Sequence, residues 1–240
     1  MLDQSGRERY GMGPLHGAIK LKLKERGAGI VRCVDITCLP QNQTQGFTKA
    51  VVFCMPLSKE FILATRNGEK TGRDDFVEKE SEADALADWL AEYLQQKGYR
   101  SYSQSEKSNW ESGNFDGETR SSKLPHKTLA RLAGIGYIGK NNLFITEEYG
   151  CGFCMCTVLT DAPIPTENHP FVPSKCGQCD ICKQICPGNA IHGNEWTESG
   201  GREGVVNVYS CTCGLLCMVH CPQTVRYALG TIHPDGSKDA

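Results

Sequence analysis

Cys176-Gly-Gln-Cys179-Asp-Ile-Cys182-Lys-Gln-Ile-Cys186-Pro187 carries thiols at the spacing C-x2-C-x2-C-x3-C-P, which suits the corners of a [4Fe-4S] cubane. Three closely spaced thiolates hold one cluster, and the fourth, turned away by the proline, reaches the other cluster of a two-cluster unit. That rule asks for a second motif. Cys211-Thr-Cys213-Gly-Leu-Leu-Cys217-Met-Val-His-Cys221-Pro222 supplies it, repeating the C-x3-C-P ending. The crossed scheme assigns Cys176, Cys179, Cys182 and Cys221 to a first cluster, and Cys186, Cys211, Cys213 and Cys217 to a second. Cys211 is the member whose C-x-C spacing departs from the pattern, which leaves open that it is a bystander and another group is the fourth ligand. A zinc ribbon would pair C-x2-C knuckles without the C-x3-C-P tails, and a disulfide frame needs an oxidising compartment, so paired clusters are the preferred reading.

The sequence holds 14 cysteines, and thiolates kept available for metal imply a reducing, cytoplasmic and oxygen-avoiding (anaerobic) setting. Lys plus Arg number 26 against 28 Asp plus Glu, a formal charge of −2. Each loaded cluster adds about two more negative charges, so the basic face that nucleic acid demands is not expected. No apolar run approaches the roughly 20 residues that span a bilayer. Residues 1–13 are polar and mixed in charge, without the apolar segment of a secretory leader.

Hydrophobic periodicity gives an α/β (α+β) pattern. A helix is expected over 14–28, opened by Pro14 and closed at Gly27, then strands over 29–35 and 49–56. Residues 57–76 read as a charged, irregular surface excursion. The clearest helix runs over 81–97, capped by Ser81, with Leu86, Trp89, Leu90, Tyr93 and Leu94 on one face and Gly98 at its end. A strand over 99–103 precedes a long polar loop over 104–122, of a length that is often functional. Residues 125–132 read as a helix, and 143–146 and 153–160 as strands. Pro163, Pro165, Pro170 and Pro173 mark an extended linker, which divides the chain into an α/β cofactor-binding domain (1–165) and a ferredoxin-like cluster domain (166–240).

Gly134-Ile-Gly136-Tyr137-Ile-Gly139-Lys140-Asn141-Asn142 matches the dinucleotide fingerprint by letters, but a helix precedes it and a strand follows, the reverse of the required context. A tight loop is expected instead, whose backbone N–H groups, Lys140 and Asn142 suit a phosphate or carboxamide group. Cys33, Cys38, Cys54, Cys151, Cys154 and Cys156 lie outside the motifs and read as buried inert thiols, with a third metal or redox site as the alternative, Cys154 and Cys156 facing one way and Cys151 opposed or in the turn. His126, His169, His192 and His220 have no metal-ligand spacing and read as surface or structural. His220 is placed to hydrogen-bond a cluster sulfur. Neither a Walker loop nor a G-x-S-x-G or H-E-x-x-H motif is present, so chemistry rests on the clusters and what they feed.

Leu124-Pro-His-Lys127, the glycine segment through Lys140, Glu147-Glu-Tyr-Gly150 and Val158-Leu-Thr-Asp161, followed by the cysteine module, resemble in order and spacing the epoxyqueuosine reductase family over about residues 120–225. The closer likeness is to its shorter, epoxyqueuosine reductase-like group, related to reductive dehalogenases. The resemblance implies a nitroreductase-like domain that binds cobalamin and a ferredoxin-like domain whose two clusters pass electrons to cobalt, the second cluster being the nearer. A flavin is the other occupant such a domain takes. The corrinoid pocket would be lined by Gly134, Gly136, Tyr137, Gly139, Lys140, Asn141, Asn142 and Tyr149, with no lower histidine ligand. The family's proton-donating aspartate has no counterpart: the ungapped match puts Arg120 there, with Asp116 only nearby, leaving Arg120, Tyr137 and Lys140 as candidates for a proton or an anion contact. The tRNA enzyme continues past its ferredoxin module, whereas this sequence ends at Ala240, so a small electrophilic substrate is expected rather than tRNA epoxyqueuosine. A redox donor such as ferredoxin or flavodoxin would feed the clusters. The alternative is a non-catalytic electron-transfer or corrinoid-handling protein.

Overall fold

The computed structural model describes residues 14–70 and 72–231. The polar start of the chain, 1–13, lies outside them. In order, the elements are α1 (Pro14–Glu25), β1 (Ile30–Asp35), α2 (Gln41–Thr44), β2 (Lys49–Pro56), α3 (Lys59–Arg66), α4 (Asp74–Gln96), β3 (Ser101–Ser103), α5 (Glu106–Glu111), β4 (Phe115–Asp116), β5 (Ser121–Ser122), α6 (His126–Leu132), β6 (Gly136–Ile138), β7 (Phe144–Thr146), β8 (Phe153–Thr160), α7 (Ile181–Ile185), α8 (Leu216–Val219) and α9 (Pro222–Ala228).

The central sheet has the order β1-β2-β8-β3 with every neighbouring pair antiparallel. β2 and β8 are its inner strands, and their near-continuous apolar sequences follow from burial on both faces. Val51, Phe53 and Met55 of β2 join Cys154, Cys156 and Val158 of β8 in one core, which α1 and α4 cover with Ile19, Leu23, Leu86, Leu90 and Leu94. Ala50, Val52 and Cys54 point the other way, with Phe153 and Leu159, into a second core closed by Leu129, Ala130 and Ala133 of α6. Each large apolar side chain so buried contributes roughly 1.5–3 kcal/mol.

Three local expectations give way to tertiary structure. Residues 59–66 form α3, because the Ser58 hydroxyl accepts the Phe61 N–H at 3.1 Å and the turn that follows buries Phe61 and Ile62. α4 starts at Asp74, not at Ser81. Asp74 and Asp75 occupy its first turn, where the helix dipole favours acids, and Ser81 is an exposed residue of its interior. The polar stretch over 104–122 contains α5, capped by Ser105, and the small β4–β5 hairpin, so it is an ordered strap.

The proline-rich stretch is extended as expected, but it lies against β1: Glu167 N–H donates to the Cys33 carbonyl at 3.0 Å, and Asn168 exchanges two hydrogen bonds with Asp35 at 2.8 Å. The last helices share the main core, since Met218, Val219, Cys221 and Ala228 pack with β2 and β8. A smaller cluster of Ala190, Ile191, Val205 and Val206 lies beside the cysteine runs. No helix among the described residues is long and apolar enough to cross a membrane.

Candidate functional site: two thiol sets and a cleft

All 14 cysteines are free thiols. α7 carries Cys182, and the chain leaves it extended at Cys186. Gly188 then passes so close to the Ser210 carbonyl that a Cβ would stand 2.0 Å from its oxygen. This contact, with the Ile191–Val206 bridge, brings the two cysteine runs together. Cys211 and Cys213 sulfurs lie 3.9 Å apart across a turn in which Cys213 adopts φ 53°.

The grouping of the thiols shows in how they perturb one another. Burial, then the charges of Cys176, Cys221 and Cys179, push the Cys182 thiol up to about 11. Burial, then Cys211, Cys182 and Cys186, push Cys217 up to about 12. Cys211 is raised by burial and feels Cys213 and Cys186. Cys221, distant in sequence, is thus within charge range of Cys182, as Cys176 and Cys179 are, while Cys217 feels Cys182 as well as Cys211 and Cys186. Among the described residues no three Cys, His, Asp or Glu stand in a geometry that could hold a metal ion. Thiols gathered in this way repel one another once ionised, and a cationic metal–sulfide core is what relieves that repulsion. The Cys221 thiol is lowered to about 6, chiefly by the neighbouring Cys151 thiol and, against its burial, by the N–H groups of Gln223 and Thr224 at the start of α9.

The glycine segment is not a free loop. Gly134 ends α6 with φ 62°, Gly136 and Tyr137 lie in β6 paired with β7, and the tight turn is confined to 139–142, where Asn142 N–H donates to the Gly139 carbonyl at 2.9 Å. Its side chains face the thiols. Lys140 pairs with Asp180 at 3.0 Å. Asn141 Nδ2 donates to the Cys217 carbonyl at 3.2 Å and contacts Cys151 Sγ at 3.7 Å. The Tyr137 hydroxyl is raised by burial and then by Cys176, Cys221, Cys151 and Cys179. Tyr149 packs edge-on against Tyr227 at 5.1 Å and fills the space above Gly29.

A separate cleft of about 920 Å³ opens between α4, the β4–β5 strap, the start of α6, β8 and the segment around Arg202. Of the eight residues expected to bind a cofactor, only Asn142 lines it, although Ile138, Leu143 and Phe144 do so from the same β6–β7 unit. Arg120 lines the cleft too, but its Nη1 donates to the Val208 carbonyl at 2.9 Å and its guanidinium covers the Tyr209 ring. A permanently protonated, engaged guanidinium is no proton donor. Tyr137 and Lys140 do not line the cleft, so none of the three catalytic candidates stands where a ligand there needs a proton.

The walls differ in charge. Glu80 is raised by burial and then by Glu106 and Asp84, and Asp84 is raised chiefly by burial while accepting the Glu106 N–H at 2.9 Å. Opposite them, burial and then Arg202 bring Lys127 down to about 8, its Nζ donating to the Asn142 carbonyl at 2.7 Å. Cys151 and Cys154 line the cleft as well. Burial followed by Glu80 keeps Cys154 up at about 12, a neutral thiol. Cys151 touches both worlds: it lines the cleft, its Sγ lies 3.2 Å from the Thr224 hydroxyl, and it is the group that does most to lower Cys221.

Two histidine expectations resolve differently. His220 Nδ1 meets the Leu216 carbonyl at 3.1 Å within its own turn. His126 lines the cleft, which no spacing rule could reveal because its partner, Thr157, is 31 positions away.

No family model matches the sequence. Among curated proteins it is 33% identical over 91 residues to the epoxyqueuosine reductase of Vibrio cholerae, covering 38% of this chain and 22% of that protein. It is 28% identical over 120 residues to that of Aliivibrio fischeri, covering 50% and 28%. The matched region thus spans about a quarter of these relatives. Among solved structures, a reductive dehalogenase described as B12-dependent superposes with a TM-score of 0.68 at 18% identity, over 95% of this chain and 35% of that one. An epoxyqueuosine reductase solved with a modified tRNA stem loop gives 0.54 at 15%, over 88% and 65%. At such identities the structural likeness is one of fold. Curated and structural comparisons agree with the resemblance carried by the sequence, to epoxyqueuosine reductases and their dehalogenase kin.

Proposed function

We propose that this chain is an iron-sulfur reductase in which two [4Fe-4S] clusters deliver electrons to a corrinoid seated in the cleft, for use on a small electrophilic substrate. The observation that supports the reading is that Cys182 feels the charge of Cys221, far along the chain, together with those of Cys176 and Cys179. The proposed assignment is Cys176, Cys179, Cys182 and Cys221 to one cluster and Cys186, Cys211, Cys213 and Cys217 to the other, the crossed ligation of a two-cluster unit. The relatives and fold neighbours support the redox class.

Electrons would enter where a thiol is open to solvent. Cys213 is exposed, whereas Cys221 is buried and lies within the influence of Cys151, a cleft-lining thiol. This favours entry at the second set from a carrier such as ferredoxin or flavodoxin, and exit from the first set past Cys151. The order is the reverse of the one the resemblance implied.

The cleft is at the upper end of the usual ligand-pocket range, roughly 300–1,000 Å³, and its rim offers Ser121, Ser122 and Asn142 to a ligand fringed with amides. Hydroxyls and an amide of this kind suit the amide fringe of a corrinoid, which is the proposed occupant. Such a cofactor, when bound, supplies a low-valent metal centre for reduction, and the protein supplies position and a dry site. The chain's own contribution is to shield the ligand beneath the β4–β5 strap and to hold neutral groups, Cys154 and His126, against it. In this reading residues 1–165 form the nitroreductase-like cofactor domain and 166–240 the ferredoxin-like one. Substrate is proposed as a small molecule. One fold neighbour engages a tRNA stem loop, so tRNA is a control in the test.

Purification without oxygen should give about eight irons per chain, and added cobalamin should change its spectrum and be reduced by dithionite only when the clusters are present. Full iron with no spectral response to cobalamin would remove the corrinoid, and flavin mononucleotide would be titrated as the competing occupant. Reduction of the bound cobalamin without consumption of any halogenated, epoxide or tRNA substrate would leave a carrier in place of an enzyme.

A further inference from the structure

His126 opens α6 at the edge of the cleft, and its ring nitrogens have unequal surroundings. Nδ1 lies 2.9 Å from the Thr157 hydroxyl on β8. That hydroxyl has a single hydrogen, and it is committed to Gln104 Oε1, an atom that cannot donate. The orientation of the Gln104 amide is fixed in turn, because its Nε2 donates to the Leu124 carbonyl at 2.9 Å. Thr157 can therefore only accept from His126. The imidazole must carry its proton on Nδ1, leaving Nε2 as a bare lone pair.

Nε2 has no hydrogen-bond partner among the described residues, and with Nδ1 turned to the strand it is the nitrogen left to the cleft. The ring is also held neutral: burial and then the charge of Lys127 bring it down to about 4. A buried relay of three side chains thus fixes one tautomer. The sheet supplies it at little entropic cost, since Thr157 is fully buried and Gln104 nearly so.

We propose that His126 is the ligand-reading acceptor of the cleft, offering its Nε2 lone pair to an N–H or O–H of the bound molecule, with Gln104 and Thr157 as positioning residues. The chemical class required is a hydrogen-bond donor, such as a primary amide or a hydroxyl group. This rests on the cleft being the binding site but not on a corrinoid filling it. Of the two occupants considered, a corrinoid brings a fringe of primary amides and a flavin its ring N–H and ribityl hydroxyls, so the shared feature is the donor.

The test uses the full chain, cluster-loaded and oxidised, with 15N-labelled histidine. Correlation spectra of the ring nitrogens should show His126 as the Nδ1–H tautomer, and Thr157→Val should abolish that preference. On titration with cobalamin the Nε2 resonance should move upfield as it accepts a hydrogen bond, and His126→Phe should weaken binding about tenfold while iron content stays intact. An Nε2–H tautomer in the unaltered protein overturns the proposal. So does cobalamin that binds without moving Nε2, an outcome that leaves the corrinoid reading standing. Should cobalamin not bind, flavin mononucleotide is titrated next. A moved Nε2 then upholds the acceptor and removes the corrinoid, and no response to either probe removes both.

Discussion

Lys140 Nζ stands 3.0 Å from Asp180 Oδ1, the lysine side chain buried to 8% exposure and the aspartate open at 44%. The pair ties the turn after β6 to the residue just before α7, and so sets the first cysteine run against the α/β core. Burial works to lower the ammonium pKa, but the hydrogen bond and charge of Asp180 outweigh it and raise the pKa above the ordinary value. A raised lysine stabilises fully below its unfolded pKa of roughly 10.4, and the benefit is lost as pH rises through the folded value. Asp180→Asn leaves a buried ammonium without its countercharge. With half of the pair in water the cost is discounted to about 1 kcal/mol. Urea unfolding of the cluster-loaded protein at neutral pH should show that loss, and the difference from the unaltered protein should vanish only above pH ~10.

Arg202 holds the strap. Its Nη1 donates to the Arg120 carbonyl at 2.6 Å and its Nη2 to the Thr119 carbonyl at 2.9 Å, while Tyr209 reaches the Glu118 carbonyl at 3.1 Å. Two carbonyls gripped by one planar fork cannot be matched by lysine. Arg202→Lys should therefore speed amide hydrogen exchange across residues 115–122 by about tenfold, with α4 and β8 unchanged. Equal exchange in the two proteins would show that the strap stands without the fork.

Much of this was legible in the sequence where one element decides its own form. β2 and β8 announce themselves as apolar runs, and α6 by Pro125 and Gly134. The misreadings come where the deciding partner is remote. Ser81 looks like a cap until Asp74 and Asp75 are seen to start the helix earlier. Gly136 looks like a loop residue until β7 pairs with it. The glycine segment was expected to hold the cofactor, yet only Asn142 lines the cleft, because Lys140 and Asn141 are drawn to Asp180 and Cys217 from the far end of the chain. The cleft itself is built from α4, the strap and the 196–208 segment, whose meeting no local spacing encodes.

Acid should weaken the protein through His126. Its folded pKa of about 4 lies below the ordinary histidine value of 6.5, so the unfolded chain takes up a proton that the folded one refuses. Stability is full above pH ~6.5 and declines as pH falls toward 4, by on the order of 3 kcal/mol. Lys127 is the charge that adds to the desolvation. His126→Gln should flatten the slope of unfolding free energy against pH in that window. A slope unchanged by the substitution would assign the acid sensitivity to another group, such as His16, whose pKa is also lowered by burial.

Crossed ligation makes an asymmetric forecast. Cys221→Ala should cost the first set its fourth thiolate and halve the iron, with the loss confined to the cluster held by Cys176, Cys179 and Cys182. Cys213→Ala should damage the other. Electron paramagnetic resonance of the reduced proteins separates the two signals, and a Cys221→Ala protein that keeps the first cluster and loses the second would refute the crossing.

Gly136 tests how tightly β6 and β7 are built. A Cβ there would stand 2.0 Å from the Ile145 carbonyl oxygen and 2.9 Å from its carbon, both backbone atoms of the partner strand. Neither can swing aside, so Gly136→Ala must part the pair and disturb Tyr137 and Lys140 behind it. Gly46 offers the contrast. It has φ 75° with nothing within 4 Å, so an added methyl there meets only backbone strain. Gly46→Ala should cost about 1 kcal/mol and Gly136→Ala more than ~3 kcal/mol. The two are compared by urea denaturation under anaerobic conditions. Iron content gives the second readout: it should fall with Gly136→Ala, as the turn that faces the first thiol set shifts, and hold with Gly46→Ala.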